Sequence, residues 1–432
     1  MSADGERERR VEPEGIRRTI EAIWHMESAK IIATLARMLR HVGLAEEFAQ
    51  DALLAALEQW PKTGLPENPA AWIMTAARNR AIDQLRRAKY VERRSTMLHD
   101  PDLTGGLEED PALEQEISDD LLRLMFIACH PVLSMDARAA LTLRLLAGLS
   151  IAEIARAFLT SEPTIQQRIV RAKRTLQEAR VPFDLPRDED RSGRLASVLE
   201  VIYLVFNEGF AATSGERWLR PELCEEALRL GRMLAEINPD ESEVHGLVAL
   251  MEIQASRNRA RVGPHGEPVL LLEQNREQWD PLLIARGLAA LERAEHLGSA
   301  LGPYGLQAAI AACHARARSA GETDWVRIVA LYDALAQLAP SPIVTLNGAV
   351  AVAMAYGAAA GLEIVDVLRE DGRLASYHLL PSVRGDLLRR LGRLDEAREE
   401  FSRAASLTRN ERERELLLER VAACERAGGA VN

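Results

Sequence analysis

Aromatic side chains are scarce in this sequence, only 4% of 432 residues, and long helix-forming runs outnumber β-branched ones. That shortage removes the residues strands favour and leaves alanine, leucine, glutamate and arginine, which favour helices, so an all-α fold is expected. Cysteine is equally sparse: Cys129, Cys224, Cys313 and Cys424 lie far apart and form no C-x-x-C pair. This argues against a disulfide framework and suits reduced thiols in a cytoplasm. Cys129 stands beside His130, but no second such pair lies at ligand spacing, so no metal is expected. No run approaches the roughly 18 apolar residues of a membrane span. The N-terminal MSADGERERRVEPEG is charged and has no apolar signal region, so neither membrane partner nor export is expected. A Gly-rich phosphate loop is missing, as is any grouping of His with Asp or Glu that suggests catalysis; neither enzyme activity nor a cofactor is expected. The net charge of -11 argues against a uniformly basic nucleic-acid coat but allows a local basic face.

Charge and proline divide what remains. Residues 1–15 read as a disordered N-terminus, and 16–95 as helices separated by Pro61, Pro66 and Pro69. An acidic linker over 96–117 contains Gly105-Gly106; a second helical module follows over 118–181, then a polar linker over 182–194. The remainder, 195–432, is one long series of short helices broken by Gly and Pro.

The second module carries the most specific pattern. Ser150 and Glu153 fit a capping box that opens a short helix ending near Phe158. Thr160 or Ser161 then caps another helix, with Pro163 in its first turn. Helix, short turn, helix is the helix-turn-helix plan. Leu159 and Thr160 stand in the turn where glycine is common, so its geometry is expected to differ. In the second helix Ile165, Ile169, Ala172 and Leu176 form the packing stripe, while Thr164, Gln167, Arg171 and Arg174 fall on another face, flanked by Arg168 and Lys173. Arginine and glutamine make bidentate bonds to guanine and adenine and also hold phosphates. The plainer reading is a solvated basic face.

In the first module, Asn68-Pro69 opens a helix running to about Tyr90, with Ile73, Ala77, Ala81 and Leu85 buried. Asn79, Asp83 and Arg86 lie opposite that stripe, Trp72 projects close to them, and Arg87, Lys89, Arg93 and Arg94 add charge. A ring beside cations suits single-stranded DNA, whose bases stack while its phosphates pair; Trp72 fits a core anchor equally well. The preceding helix, Ala45 to Trp60, is amphipathic and is expected to expose its acids and amides.

Together these residues resemble the two conserved domains of extracytoplasmic-function sigma factors, over roughly 16–180. The stretch Glu46-Glu47-Phe-Ala-Gln50-Asp51 resembles region 2.2. The resemblance implies core RNA polymerase as partner, bound through its β′ clamp by Glu47, Gln50 and Asp51 and through its β flap. Trp72 through Arg87, read as W-x6-R-N-x3-D-x2-R-R, resembles regions 2.3 and 2.4. By resemblance, Trp72, Asn79, Asp83, Arg86 and Arg87 open and read the minus-ten element of promoter DNA. Leu121 through Leu176 resembles region 4, which implies that Thr164, Gln167, Arg168, Arg171 and Arg174 read the minus-35 element. The Cys129-His130-Pro131-Val-Leu-Ser run, Phe206-Asn-Glu-Gly-Phe210 and Thr323-Asp-Trp325 resemble a subgroup with a tetratricopeptide-like extension.

The tail supports that last expectation. Gly385, Ala397, Phe401 and Ala404 sit at tetratricopeptide spacing, and the 69 residues from Ile328 to Ala397 make about two 34-residue periods. The middle repeat near Leu362 lacks consensus side chains, and Arg261 to Pro268 is a Gly/Pro-rich interruption. Such stacks commonly bind a protein or peptide and also serve as passive scaffolds; a regulatory or partner-binding role is the expectation favoured for 195–432. Asn207 and Glu208 are candidate contacts between tail and sigma domains, and fit a satisfied helix end at least as well. On charge alone, the acids from Asp100 to Asp120 suit a nucleic-acid mimic in a basic polymerase channel; a solvated linker is the plainer reading. The rival from another class is a helix-turn-helix regulator with a tetratricopeptide sensor, which leaves Trp72–Arg87 without a role.

Overall fold

The computed structural model describes residues 13–93, 111–212, 215–298 and 300–429. The expected N-terminal tail lies outside the described residues as far as position 12, and the acidic linker does so as far as position 110. Eighteen α-helices and a few single 3-10 turns make up the described residues, with no strand among them. The chain is all-α, as its composition implies. It divides into two compact units, Met1–Val201 and Ile202–Asn432.

In the first unit α1 (Pro13–Leu39), α2 (Val42–Thr63) and α3 (Pro69–Arg93) pack on one another. Alanines explain how closely. Ala45, Ala49, Ala52, Ala56 and Trp60 form one buried stripe at three- and four-residue spacing along α2. The Asn68 side chain accepts from the Ala71 N–H at 3.0 Å and starts α3. Pro61 does not separate helices as expected; it sits in the last turn of α2, which closes at Gly64 with a φ of 85°.

Helix α4 (Pro111–Ala128) begins inside the stretch expected as linker and lies along α1. Its acids have cations to meet: Arg37 bonds Asp120 at 2.8 Å and Glu116 at 3.4 Å. That pairing offsets the charge repulsion of the acidic run and lets it coil. Its last two turns, Leu121 to Ala128, are buried apart from Arg123, which is half-buried. Then follow α5 (Met135–Leu145), α6 (Ile151–Ala157) and α7 (Glu162–Glu178). The start of α8 (Asp188–Phe210) replaces the end of the linker expected over 182–194. Arg194 donates to the Phe126 carbonyl at 2.6 Å, and Ser197 to that of Cys129 at 2.7 Å. The two small sigma-like modules thus belong to one compact unit.

The second unit also holds α9 (Pro221–Ile237), α10 (Ser242–Ala255), α11 (Pro281–Leu297), α12 (Pro303–Arg316), α13 (Trp325–Leu338), α14 (Pro342–Tyr356), α15 (Ala358–Leu368), α16 (Leu379–Arg390), α17 (Leu394–Leu407) and α18 (Glu411–Gly429). Each of these helices packs on the next in the chain. Gly385 of α16 faces Phe401 of α17 so closely that an added Cβ would meet the ring at 2.9 Å. In the middle repeat, where consensus side chains are missing, Gly361 does the same work against Ala353 and the Ala349 carbonyl. The Gly/Pro-rich interruption lies in an irregular connection between α10 and α11, closed by a single bridge from Val262 to Pro268.

Candidate nucleic-acid interface

Ser150 and Glu153 form the expected capping box: the Ser150 N–H donates to the Glu153 carboxylate at 2.8 Å, and the Glu153 N–H to Ser150 Oγ at 3.2 Å. Of the two candidates for the next cap, Ser161 takes the role, accepting from the Thr164 N–H at 3.3 Å. Between the helices Leu159 adopts a φ of 47°, the left-handed backbone that glycine usually supplies. Its side chain is exposed, so the strain is confined to the backbone.

On α7, Ile165, Ile169, Ala172 and Leu176 are buried, while Thr164, Gln167, Arg171 and Arg174 are exposed. Arg168 is half-buried and pairs with Asp136 at 3.2 Å; Arg174 pairs with Glu178 at 2.6 Å. Thr164, Gln167, Arg168 and Arg171 share a shallow cleft of about 370 Å³ with Val132 and Asp136. They are therefore brought together, whereas Arg174 lies outside that group.

On α3, Ile73, Ala77 and Ala81 are fully buried and Asn79, Asp83 and Arg86 are exposed, Asp83 and Arg86 at 3.9 Å from each other. Trp72 is half-buried, edge-on to the buried Trp60 with ring centroids 5.4 Å apart. The side chains of Arg87, Lys89 and Tyr90, like those of Arg93 and Arg94, lie outside the described residues. Glu47 is exposed on α2; Gln50 and Asp51 are half-buried, and Asp51 faces Arg80 at 4.0 Å. In the second unit Asn207 is exposed and Glu208 is committed to an ion pair with Arg220.

Glu46 departs from expectation. It is 5% exposed rather than on the wet face of α2. Its carboxylate accepts from Gln50 at 2.7 Å, from Arg144 of α5 at 2.7 Å, and from Lys173 of α7. Burial raises the Glu46 carboxyl, but the charges of Lys173 and Arg144 outweigh it and hold the group below its ordinary value. Arg144 also donates to the Leu149 carbonyl at 2.9 Å. Beside this contact Gly148, with a φ of 69°, comes so close to α1 that an added Cβ would meet Ser28 Oγ at 2.6 Å. The region-2-like and region-4-like helices are thus joined by a buried ionic contact between residues of both expected binding surfaces. A Glu beside the alanine stripe of α2 was the one sequence signal of it; its partners lie 98 and 127 positions away.

Cys129 is buried against Thr142 Oγ1 at 3.3 Å, and burial pushes its thiol up to about 11. His130 is pushed down to about 4 by burial and by Arg194 and Arg138. Among the described residues no group of three or more His, Cys, Asp or Glu is placed to hold a metal ion, and no helix is long and apolar enough to cross a membrane.

Three family models match the chain: Sigma-70 region 2 over residues 25–90, Sigma-70 region 4 over 123–176, and a family of unknown function (DUF6596) over 194–295. An uncharacterized protein of Rhizobium meliloti (strain 1021) is 44% identical over 388 residues, 88% of this chain and 89% of its own length. The ECF RNA polymerase sigma factor SigL of Mycobacterium tuberculosis (strain ATCC 25618 / H37Rv) is 30% identical over 164 residues, 37% of this chain and 89% of its own. SigK of Mycobacterium sp. (strain KMS), also an ECF RNA polymerase sigma factor, is 26% identical over 155 residues, 34% of this chain and 76% of its own. No solved structure matches the chain. Both sigma regions occur in family order, and SigL is covered over nearly its whole length, so the chain belongs to the extracytoplasmic-function sigma factors.

Proposed function

We propose that this sigma factor binds core RNA polymerase through Glu47, Gln50 and Asp51 on the β′ clamp and through region 4 on the β flap. Trp72, Asn79, Asp83, Arg86 and Arg87 open and read the minus-ten element. Thr164, Gln167, Arg168, Arg171 and Arg174 read the minus-35 element in the major groove. The observation that carries the reading is the two-faced α7: a buried apolar stripe set against exposed Gln167 and Arg171, with the capped turn before it. Functionally the chain divides into region 2 (16–95), region 4 (118–181) and a tetratricopeptide-like domain (195–432) that modulates the first two. The Glu46 contact supports a resting form in which regions 2 and 4 hold each other, and polymerase binding separates them.

Run-off transcription with purified core polymerase and a pool of genomic promoter fragments tests this. Start sites that require the added protein are expected, either from the full chain or, if it is self-inhibited, from residues 1–201 alone. Failure of both to initiate or to bind core polymerase, with folded protein, would refute it.

A further inference from the structure

Helix α7 carries four cations, and three of them already hold a carboxylate of the chain itself. Lys173 meets Glu46, Arg174 meets Glu178 at 2.6 Å, and Arg168 meets Asp136 at 3.2 Å. Among the described residues, Arg171 is the one cation of α7 without an ion pair.

The three pairs differ in kind. Glu46 is buried and comes from α2, so it belongs to the contact between the two regions. Glu178 lies one turn further along α7 itself, on open surface. Asp136 reaches α7 from another helix, the first turn of α5, which Ser134 caps. It shares with Arg168 the cleft that also holds Thr164, Gln167 and Arg171. The Asp136 side chain is 70% exposed and that of Arg168 27%.

Such an open pair adds little to folding stability. In front of DNA the same carboxylate has a larger effect, because it carries the charge of the phosphates it faces. A cation without a partner binds phosphates of any sequence, and each phosphate it neutralises releases a DNA counterion. A cation beside a fixed carboxylate gains much less from a phosphate, yet it keeps donors for a base edge. The guanidinium has five N–H groups, and Asp136 Oδ2 meets the Nη2 end. A carboxylate in the first turn also favours the start of α5, but that effect needs no partner on α7.

We propose that Asp136 is a positioning residue that sets specificity. It cancels the charge of Arg168 toward phosphates and fixes its guanidinium beside Gln167 and Arg171 for a base edge. This rests on the reading of α7 as the minus-35 helix. Discrimination then owes part of its size to a carboxylate that weakens binding to DNA of the wrong sequence.

Holoenzyme assembled from core polymerase and the full chain tests the assignment. Its DNA partners are a promoter duplex recovered by run-off transcription and the same duplex with the minus-35 element scrambled. Affinities are read by fluorescence anisotropy across a series of salt concentrations, and the wild type is expected to prefer the intact element. Asp136→Asn, checked for helicity, should bind the scrambled duplex roughly 5- to 10-fold more tightly at about 0.1 M salt. Its slope of log K against log salt should steepen by about 0.9, the value of one added phosphate contact. Affinity for the intact duplex should change less, so the preference falls. Asp136→Glu should keep the wild-type preference, and in an Arg168→Ala background Asp136→Asn should change neither slope nor preference. Wild-type indifference to scrambling would overturn the reading of α7 and this proposal with it. A preference kept in Asp136→Asn, or a change that persists without Arg168, would overturn the proposal alone.

Discussion

Replacing Glu46 by glutamine keeps the side chain's size and removes the charge that two cations share. In the folded unit the Glu46 side chain is 7% exposed, Arg144 16% and Lys173 24%, so none of the three is well solvated. Removing one partner of a buried pair costs about 3–5 kcal/mol; the partial exposure of both cations argues for the lower end, about 3 kcal/mol. If the two regions can separate, opening lets Arg144 and Lys173 regain water, and the loss appears as a shift of roughly 100-fold toward the open form. The four cysteines are buried, so Glu58→Cys on α2 and Glu178→Cys on α7, both exposed, offer labelling sites for energy transfer. Glu46→Gln should lower the transfer efficiency while helicity is kept.

The pH dependence has a fixed sign. A carboxyl held below its ordinary 4.5 contributes fully above that value and loses its contribution as pH falls through the lower folded-state value. Transfer should therefore stay constant from neutral pH down to about 5 and fall only in the acid range below the ordinary carboxyl value. Equal transfer in wild type and Glu46→Gln, or opening of the wild type between pH 5 and 7, would refute the lock.

Three further outcomes follow from single contacts. Arg171→Ala should weaken promoter binding by about 1–3 kcal/mol in a fluorescence-anisotropy titration; equal weakening on random DNA would make it a phosphate contact. Gly385→Val should lower the melting temperature of the second unit, because its Cβ would meet the Phe401 ring at 2.9 Å; a loss of about 1–3 kcal/mol is expected by thermal denaturation. A fragment ending at Arg194 should be less stable in urea than one ending at Val201, because Leu195, Val198, Leu199 and the Ser197 bond to Cys129 belong to the first unit; equal midpoints would refute that boundary.

Local signals in the sequence carried the elements well. Ser150 with Glu153, Asn68 with Pro69 and the four-residue spacing on α7 depend on neighbours within a turn or two, so their outcome could be read along the chain. Distant pairing could not. The onset of α4 inside the acidic stretch depends on Arg37, and the burial of Glu46 on Arg144 and Lys173. The segment Arg257-Asn-Arg-Ala-Arg261 places three arginines in five residues. A 3-10 turn over Asn258–Arg261 buries Arg261, leaves Arg257 half-buried and keeps only Arg259 exposed. Side-chain direction in one tight turn separates a surface charge from a buried one, and composition carries no trace of it.

The chemistry of the Glu46 contact suits a joint that opens, as proposed. An apolar contact would hold two helical modules together in proportion to the area it buries, and each side would expose apolar surface on opening. An ionic contact behaves differently: its charges lose hydration on closing and recover it on opening, so the net stabilisation is far smaller than the Coulomb attraction. Arg144 keeps its bond to the Leu149 carbonyl whether or not Glu46 is present, which leaves one of the two cations partly satisfied when the modules part. Lys173, flanking the exposed residues of α7, is then free to meet a phosphate, and Glu46 and Gln50 return to the face of α2 that bears Glu47. In the proposed reading, one separation would exchange a carboxylate within the chain for phosphates outside it, and would link DNA binding to the release of the α2 face.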